Sequence, residues 1–227
     1  MIRLEDVSHR YGDRTVLQHV TLEIDGPRVA VIGANGSGKS TLARLLNGLV
    51  LPTQGTVTVD GLDTRRDGGA VRRKVGFVFT DPDAQIVMPT VAEDVAFSLR
   101  RKDLTAAQRA ERVREVLDRF GLGGHADHPA HLLSGGQKQL LALASVLVIE
   151  PEILVCDEPT TLLDLRNTRI VSDLIEALPQ QVILVTHDLD QAKGWPRVLV
   201  VDDGRVVADG PGETSVQAYR ELMADRR

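Results

Sequence analysis

The stretch GANGSGKS, residues 33–40, decides the fold of this chain. It follows the apolar run 29–32 and leads into the segment 39–49, where leucines recur at helical spacing. Strand, glycine-rich loop and helix in this order are the context in which the pattern G-x-x-x-x-G-K-[ST] cradles phosphates. Lys39 brings positive charge to the β- and γ-phosphates, which also makes it a candidate catalytic residue, and Ser40 offers its hydroxyl to Mg²⁺. The candidate nucleotide-binding residues of this stretch are Gly33, Asn35, Gly36, Ser37, Gly38, Lys39, Ser40 and Thr41.

Two acids follow a second apolar run, residues 153–156. Asp157 ends this run, where an unpaired carboxylate would be costly, so a hard cation nearby is the natural compensation. Glu158 comes next, and side chains alternate direction along a strand, so the two acids can divide the work. The pattern predicts that Asp157 binds Mg²⁺ and that Glu158 polarises an attacking water as general base.

The apolar patterning indicates an α/β fold with two kinds of strand. The runs 29–32, 153–156 and 182–185 are continuous, which is typical of parallel strands covered on both faces. Other segments alternate apolar and polar residues, which predicts antiparallel strands with one exposed face. These alternating segments are 2–7, 16–24, 56–59 and 205–207.

A helical insertion interrupts the strands. Thr90 with Glu93, and Thr105 with Gln108, are spaced as capping boxes, and Ser134 is placed to cap a third helix. We expect a single domain over 1–227, in which 1–80 and 150–227 form the α/β core and 81–149 form a helical subdomain.

Composition excludes several classes of function. The 227 residues carry a net charge of −5, which argues against nucleic acid as a partner. The single cysteine, Cys156, lies in an apolar strand pattern and is expected to be a buried apolar residue in a reducing compartment.

The apolar stretch 140–149 is far short of the roughly 20 residues that span a bilayer. The first residues carry acids and no apolar signal core, so we expect a cytoplasmic protein that reaches a membrane only through a partner chain.

The pentapeptide LSGGQ, residues 133–137, completes a recognisable set with the glycine-rich loop and the acid pair. Together they resemble the ATP-binding cassette (ABC) family of P-loop NTPases, in family order and over nearly the whole chain. The resemblance implies a head-to-tail dimer, a homodimer being favoured, with ATP held between Lys39 of one subunit and the signature segment of the other. The signature candidates are Ser134, Gly135, Gly136 and Gln137.

The resemblance assigns further residues. His187, just after the apolar run 182–185, matches a histidine that contacts the γ-phosphate and orients the water. Asp164 matches a segment that crosses the dimer interface, and Tyr11 matches an aromatic residue that stacks on adenine. Three other histidines, at 125, 128 and 131, have the spacing of metal ligands, but Pro129 and the loop context favour a shaped loop instead.

One position departs from the family. After the apolar run 75–79 the family usually has glutamine, which reaches the magnesium and the lytic water, whereas this chain has Thr80. A threonine hydroxyl can still serve as an oxygen ligand, so Thr80 remains a candidate metal residue, although it is too short to fill the same space. Gln85 lies too far along to replace it, and we expect Gln85 to line a groove for a partner.

The segment 81–97 resembles ATPases of energy-coupling-factor (ECF) importers, which take up vitamins and transition-metal ions. The resemblance implies two membrane partners, a transmembrane coupling subunit and a substrate-binding subunit, and a location on the cytoplasmic face of the membrane. Residues 86–88 would line a groove for a coupling helix. Thr80, the segment 160–167 and an expected lack of a C-terminal dimerisation extension are most similar to ATPases of biotin transporters. Alternatives are another importer, including one for cobalt or nickel, an extrusion system, or a binding module without turnover, against which Glu158 and His187 argue.

Overall fold

The computed structural model describes residues 1–225, which form two compact units. Unit 1 comprises residues 1–75, 153–158 and 180 onward, and unit 2 comprises residues 76–152 and 159–179. The segment 159–179 was expected in the α/β core but groups with the helical unit, because its helix packs against the helix that follows Ser134. That the whole chain is one domain stays a prediction.

Unit 1 holds both kinds of strand that the sequence predicts. Its strands are β1 (Ile2–Tyr11), β2 (Arg14–Ile24), β3 (Arg28–Ile32), β4 (Gln54–Val59), β5 (Leu62–Asp63), β7 (Ile153–Asp157), β8 (Gln181–Val185), β9 (Arg197–Asp202) and β10 (Arg205–Gly210). Its helices are α1 (Lys39–Leu46), α2 (Gly68–Lys74), α7 (Leu189–Lys193) and α8 (Gly212–Ala224).

These strands build two sheets. The first is antiparallel in the order β2-β1-β4-β5, and the second runs β10-β9-β3-β8-β7, in which only β10 is antiparallel to its neighbour. All five residues of β7 are buried, as are four of the five in β3 and in β8, so the prediction of strands covered on both faces is confirmed. The antiparallel pairing of β1, β2, β4 and β10 is likewise confirmed.

The register of the parallel strands brings their carboxyl ends together. Val185 pairs with Val31 on one side and with Asp157 on the other. The loop after β3, the residue after β7 and the segment after β8 therefore emerge at one edge of the sheet. This edge is where ligands bind in open α/β sheets.

Helix α1 is shorter than predicted. It ends at Leu46 rather than near residue 49, because Asn47 leaves the helical region and Gly48 takes a φ of +69°. Glycine is the residue that adopts this left-handed conformation without strain, and it commonly ends helices.

Unit 2 is mainly helical. Strand β6 (Val75–Val78) leads into it, and its helices are α3 (Val91–Ser98), α4 (Ala106–Arg119), α5 (Gly135–Leu147) and α6 (Leu165–Glu176). The capping boxes predicted at Thr90 and Thr105 are both formed, and Ser134 caps α5 in the same way. Helix α3 packs against α4 and α5. Within residues 1–225, no helix is both long and apolar enough to cross a membrane.

Candidate nucleotide-binding site

The glycine-rich loop holds its lysine through the backbone. Gly38, at the start of α1, has φ +109°, and a Cβ there would lie 2.8 Å from the carbonyl oxygen of Val16, so no other residue fits without a shift. The ammonium of Lys39 donates to the carbonyl oxygens of Gly33 and Ala34, both at 2.9 Å. Lys39 is buried, and burial lowers its pKa, while Glu158 and Asp157 act in the opposite direction.

Asp157 and Ser40 form one cluster at the end of β7. The hydroxyl of Ser40 donates to Oδ1 of Asp157 at 2.8 Å, and the guanidinium of Arg44 lies 3.7 Å from Oδ2. Burial raises the pKa of the Asp157 carboxyl, and the bond from Ser40 and the charge of Arg44 only partly oppose this. A carboxylate that is disfavoured by burial and adjacent to a hydroxyl is the type of oxygen pair that fits Mg²⁺.

Arg44 was missed by the sequence reasoning. It lies four residues after Ser40 on α1, and residues four apart share a helix face. That spacing was the available signal, since the sequence assigns both Ser40 and Asp157 to Mg²⁺.

Glu158 and His187 lie together at the same edge. Oε2 of Glu158 is 3.4 Å from Nδ1 of His187, and the Glu158 side chain is 17% exposed while that of His187 is 58% exposed. The backbone N–H of Glu158 donates to the carbonyl of Val185 at 2.9 Å. This pairing puts an acid and an imidazole close enough together to contact one water molecule.

A cavity of about 350 Å³ joins most of the unit 1 candidates. Tyr11 borders it and is 49% exposed, so its ring is available for stacking. The sequence analysis did not identify Arg14 and Val16. They are two residues apart, and residues with this spacing lie on one face of a strand. The lining residues are Tyr11, Arg14, Val16, Asn35, Gly36, Gly38, Lys39, Ser40, Thr41 and Glu158.

The signature candidates lie in unit 2, at the start of α5. Ser134 accepts the N–H of Gln137 at 3.3 Å, and the Gln137 side chain accepts the N–H of Ser134 at 2.9 Å. Asp164 caps α6 and accepts the N–H of Asn167 at 2.8 Å. A Cβ on Gly136 would overlap the side-chain amide of Asn167, so the two helix starts are packed together. The starts of α5 and α6 therefore lie side by side in unit 2.

Gln85 is hydrogen-bonded at both ends of its side-chain amide, and that it lines a groove for a partner stays a prediction. Its Oε1 accepts the N–H of Phe79 at 3.2 Å, and its Nε2 donates to the carbonyl of Ala142 at 3.1 Å. Both ends of the amide are therefore used to brace the segment after β6 against α5. Thr80 follows Phe79 in this braced segment, and its role as a metal ligand stays a prediction.

Comparison with known proteins identifies the family. Residues 17–161 match the family described as ABC transporter. The chain is 48% identical over 223 residues to the biotin transport ATP-binding protein BioM of Rhizobium etli, covering 98% of this chain and 99% of that protein. It is 40% identical over 232 residues to the energy-coupling factor transporter ATP-binding protein EcfA1 of Bacillus licheniformis, covering 98% and 83%. The structure of cbiO1 from Clostridium perfringens, part of the ABC transporter complex cbiONQ, matches with a TM-score of 0.84 at 33% identity, covering 99% of this chain and 93% of that one.

The chain therefore belongs to the ABC transporter ATP-binding family. It is an ATPase subunit that binds ATP with Mg²⁺ and works as a dimer with membrane components to drive transport.

Proposed function

We propose that this chain powers an ECF-type importer for a vitamin, with biotin as the favoured substrate. The relatives named for biotin transport and for energy-coupling factor transport support this proposal, since they match almost the whole chain. A transporter for cobalt or nickel is the second candidate, which the likeness to cbiO1 favours.

One observation in unit 2 carries the proposal. Val87 lies in the segment that resembles ECF ATPases, and its side chain is 61% exposed. Its backbone N–H and that of Met88 donate to Oδ1 of the buried Asp94, at 2.8 and 3.1 Å. Oδ2 of Asp94 accepts the hydroxyl of Ser145 at 2.8 Å. A buried carboxylate thus fixes a short segment that presents an apolar side chain outward, as a docking surface for a membrane subunit requires.

The proposed hydrolysis uses the unit 1 residues. Glu158 accepts a proton from water as the water oxygen attacks the γ-phosphorus, the bond to the β–γ bridging oxygen breaks, and ADP and phosphate leave. His187 orients the water, and Lys39 neutralises the β- and γ-phosphates. Ser40 and Asp157 would hold Mg²⁺, with Thr80 as a further oxygen ligand, and the ion would offset the phosphate charge.

The proposed dimer is a head-to-tail homodimer on the cytoplasmic face of the membrane. Ser134 to Gln137 of one subunit would complete the ATP site formed by the glycine-rich loop of the other, with Asp164 at the interface and Tyr11 on the adenine. Closure on ATP and opening after hydrolysis would move the coupling subunit.

Reconstitution tests this function. The tagged chain is purified with its coupling and substrate-binding membrane subunits and placed in vesicles, and ATP-dependent uptake of biotin, Co²⁺ and Ni²⁺ is measured. We expect biotin uptake that Glu158→Gln abolishes. Uptake of metal ions alone would support the second candidate, and uptake of neither would contradict both.

A variant pair tests the docking surface. Val87→Asp should prevent co-purification with the coupling subunit while ATP binding is retained, because a charge replaces the apolar side chain that docks. Val207→Asp is the matched control, since Val207 is 50% exposed on β10 and lies outside the segment. Equal co-purification of the two variants would contradict the assignment of this surface.

A further inference from the structure

The side-chain amide of Gln137 is shared between two partners. Its Oε1 accepts the backbone N–H of Ser134, which is the return bond of the capping box at the start of α5. Its Nε2 lies 3.0 Å from Nε2 of His125. His125 is therefore the side chain that contacts the far end of the capping glutamine.

The donor and acceptor roles follow from the capping box. A backbone N–H can only donate, so the atom of Gln137 that faces Ser134 is the amide oxygen. The atom that faces His125 is then the NH₂ nitrogen, which also only donates. Nε2 of His125 must accept, and the neutral ring carries its proton on Nδ1. A proton on Nε2 would set two donors against each other.

His125 is held by the backbone around it. It ends the short 3-10 helix Gly123–His125, where its N–H donates to the carbonyl of Leu122 at 2.8 Å and its own carbonyl accepts the N–H of His128 at 2.9 Å. The two imidazole rings meet edge to face, with centroids 4.9 Å apart. Nδ1 of His125 is buried and has no hydrogen-bond partner among residues 1–225. Among residues 1–225, Nε2 is therefore the one ring nitrogen of His125 that has a hydrogen-bond partner, and that partner is Gln137.

We propose that His125 is a positioning residue for the signature segment. Its Nε2 fixes the rotation of the Gln137 amide, and that amide in turn fixes the backbone of Ser134 at the first turn of α5. The bond from the Gln137 N–H to Ser134 is 3.3 Å long and the return bond through the side chain is 2.9 Å, so the side-chain bond is the shorter half of the cap. This inference rests on the proposed function, because the orientation of Ser134 affects ATP only if α5 faces a nucleotide of the partner subunit.

Three substitutions separate the hydrogen bond from the shape of the ring. His125→Gln places a carbonyl oxygen near the position of Nε2 and keeps an acceptor. His125→Phe keeps a ring and removes the acceptor. His128→Phe changes the neighbouring ring and leaves the bond between His125 and Gln137 in place, so it serves as the control.

The first readout is the ATP concentration at half-maximal dimerisation, measured by sedimentation in the Glu158→Gln background with Mg²⁺. We expect His125→Phe to raise it roughly 5- to 10-fold, as for the loss of one hydrogen bond, with His125→Gln and His128→Phe within about twofold of the parent. A His125→Phe protein that dimerises like the parent, or a His125→Gln protein as impaired as His125→Phe, would overturn the inference. A parent that does not dimerise with ATP contradicts the proposed function instead.

The second readout does not depend on dimerisation or on the variants. Nitrogen-15 NMR of the wild-type chain reports the ring tautomer of His125 and the side-chain NH₂ of Gln137. We expect a proton on Nδ1 and none on Nε2. The opposite tautomer would refute the positioning role.

Discussion

At the scale of single residues, Glu158 combines a strained backbone with a position at the candidate site. Its φ is +50°, in the left-handed region that costs a residue with a Cβ about 1–2 kcal/mol. The backbone N–H of Glu158 donates to the carbonyl of Val185, and Glu158 lines the same cavity as Lys39 and Ser40. A strained backbone conformation persists where many surrounding contacts hold it in place, and such conformations are frequent at active sites.

We expect Glu158→Gln to lower ATP turnover roughly 10²-fold or more while ATP binding is retained, because the amide cannot accept the proton of the attacking water. Turnover is measured as phosphate release, and ATP binding is measured on the same preparation. Glu115→Gln is the matched control, since Glu115 is exposed on α4. Normal turnover in Glu158→Gln would exclude Glu158 as the general base.

At the scale of elements, the starts of α5 and α6 can pack closely because residue 136 is a glycine and has no side chain. Gly136 packs its Cα against Asn167, and Asn167 binds Asp164 through both its backbone N–H and its side-chain Nδ2, at 2.8 and 2.9 Å. A methyl group at position 136 would push the Asn167 side chain away from Asp164. Gly135 differs, because a Cβ there meets nothing within 4 Å.

We expect Gly136→Ala to lower the free energy of unfolding by about 1–3 kcal/mol, through crowding and loss of the bond between Asn167 and Asp164. Gly135→Ala should be neutral or stabilise by at most about 1 kcal/mol, because alanine favours helix over glycine. Denaturant unfolding of the two variants beside the wild type measures both values. Equal stability of the two variants would show that α5 and α6 do not need a glycine at 136.

At the scale of the whole molecule, the proposed ATP site is divided between two copies of the chain. Unit 1 carries Lys39, Asp157 and Glu158, and unit 2 carries the signature start at Ser134. In a head-to-tail dimer each site takes unit 1 groups from one copy and unit 2 groups from the other, so two differently inactivated chains can complement each other.

Mixing Lys39→Ala with Ser134→Asp tests this arrangement. Aspartate also caps helices, so Ser134→Asp keeps the start of α5 while its charge repels a phosphate. Each variant alone should be inactive. When equal amounts of the two variants are mixed, about half of the dimers contain one copy of each. Each mixed dimer has one intact site out of two. We therefore expect up to about a quarter of wild-type ATPase activity. A mixture as inactive as its components would rule out sites completed by the partner.

The features that could be predicted from the sequence are those that depend on neighbouring residues. The loop 33–40, the acids at 157 and 158 and the helix starts at Thr90, Thr105 and Ser134 follow from turn chemistry, strand burial and capping, all of which act within a few residues. The length of α1 was predicted less well, because a helix end depends on one or two residues such as Asn47 and Gly48 rather than on apolar periodicity.

The sequence alone identified the ABC family and predicted the nucleotide loop, the acid pair and the signature segment, since each of these motifs consists of neighbouring residues. Tertiary structure decided which distant side chains meet. The approach of His187 to Glu158 follows from the parallel pairing of β7 with β8, and the bond between His125 and Gln137 follows from how an irregular segment folds back on α5. Contacts of this kind depend on the packing of elements far apart in the chain, which no local pattern specifies.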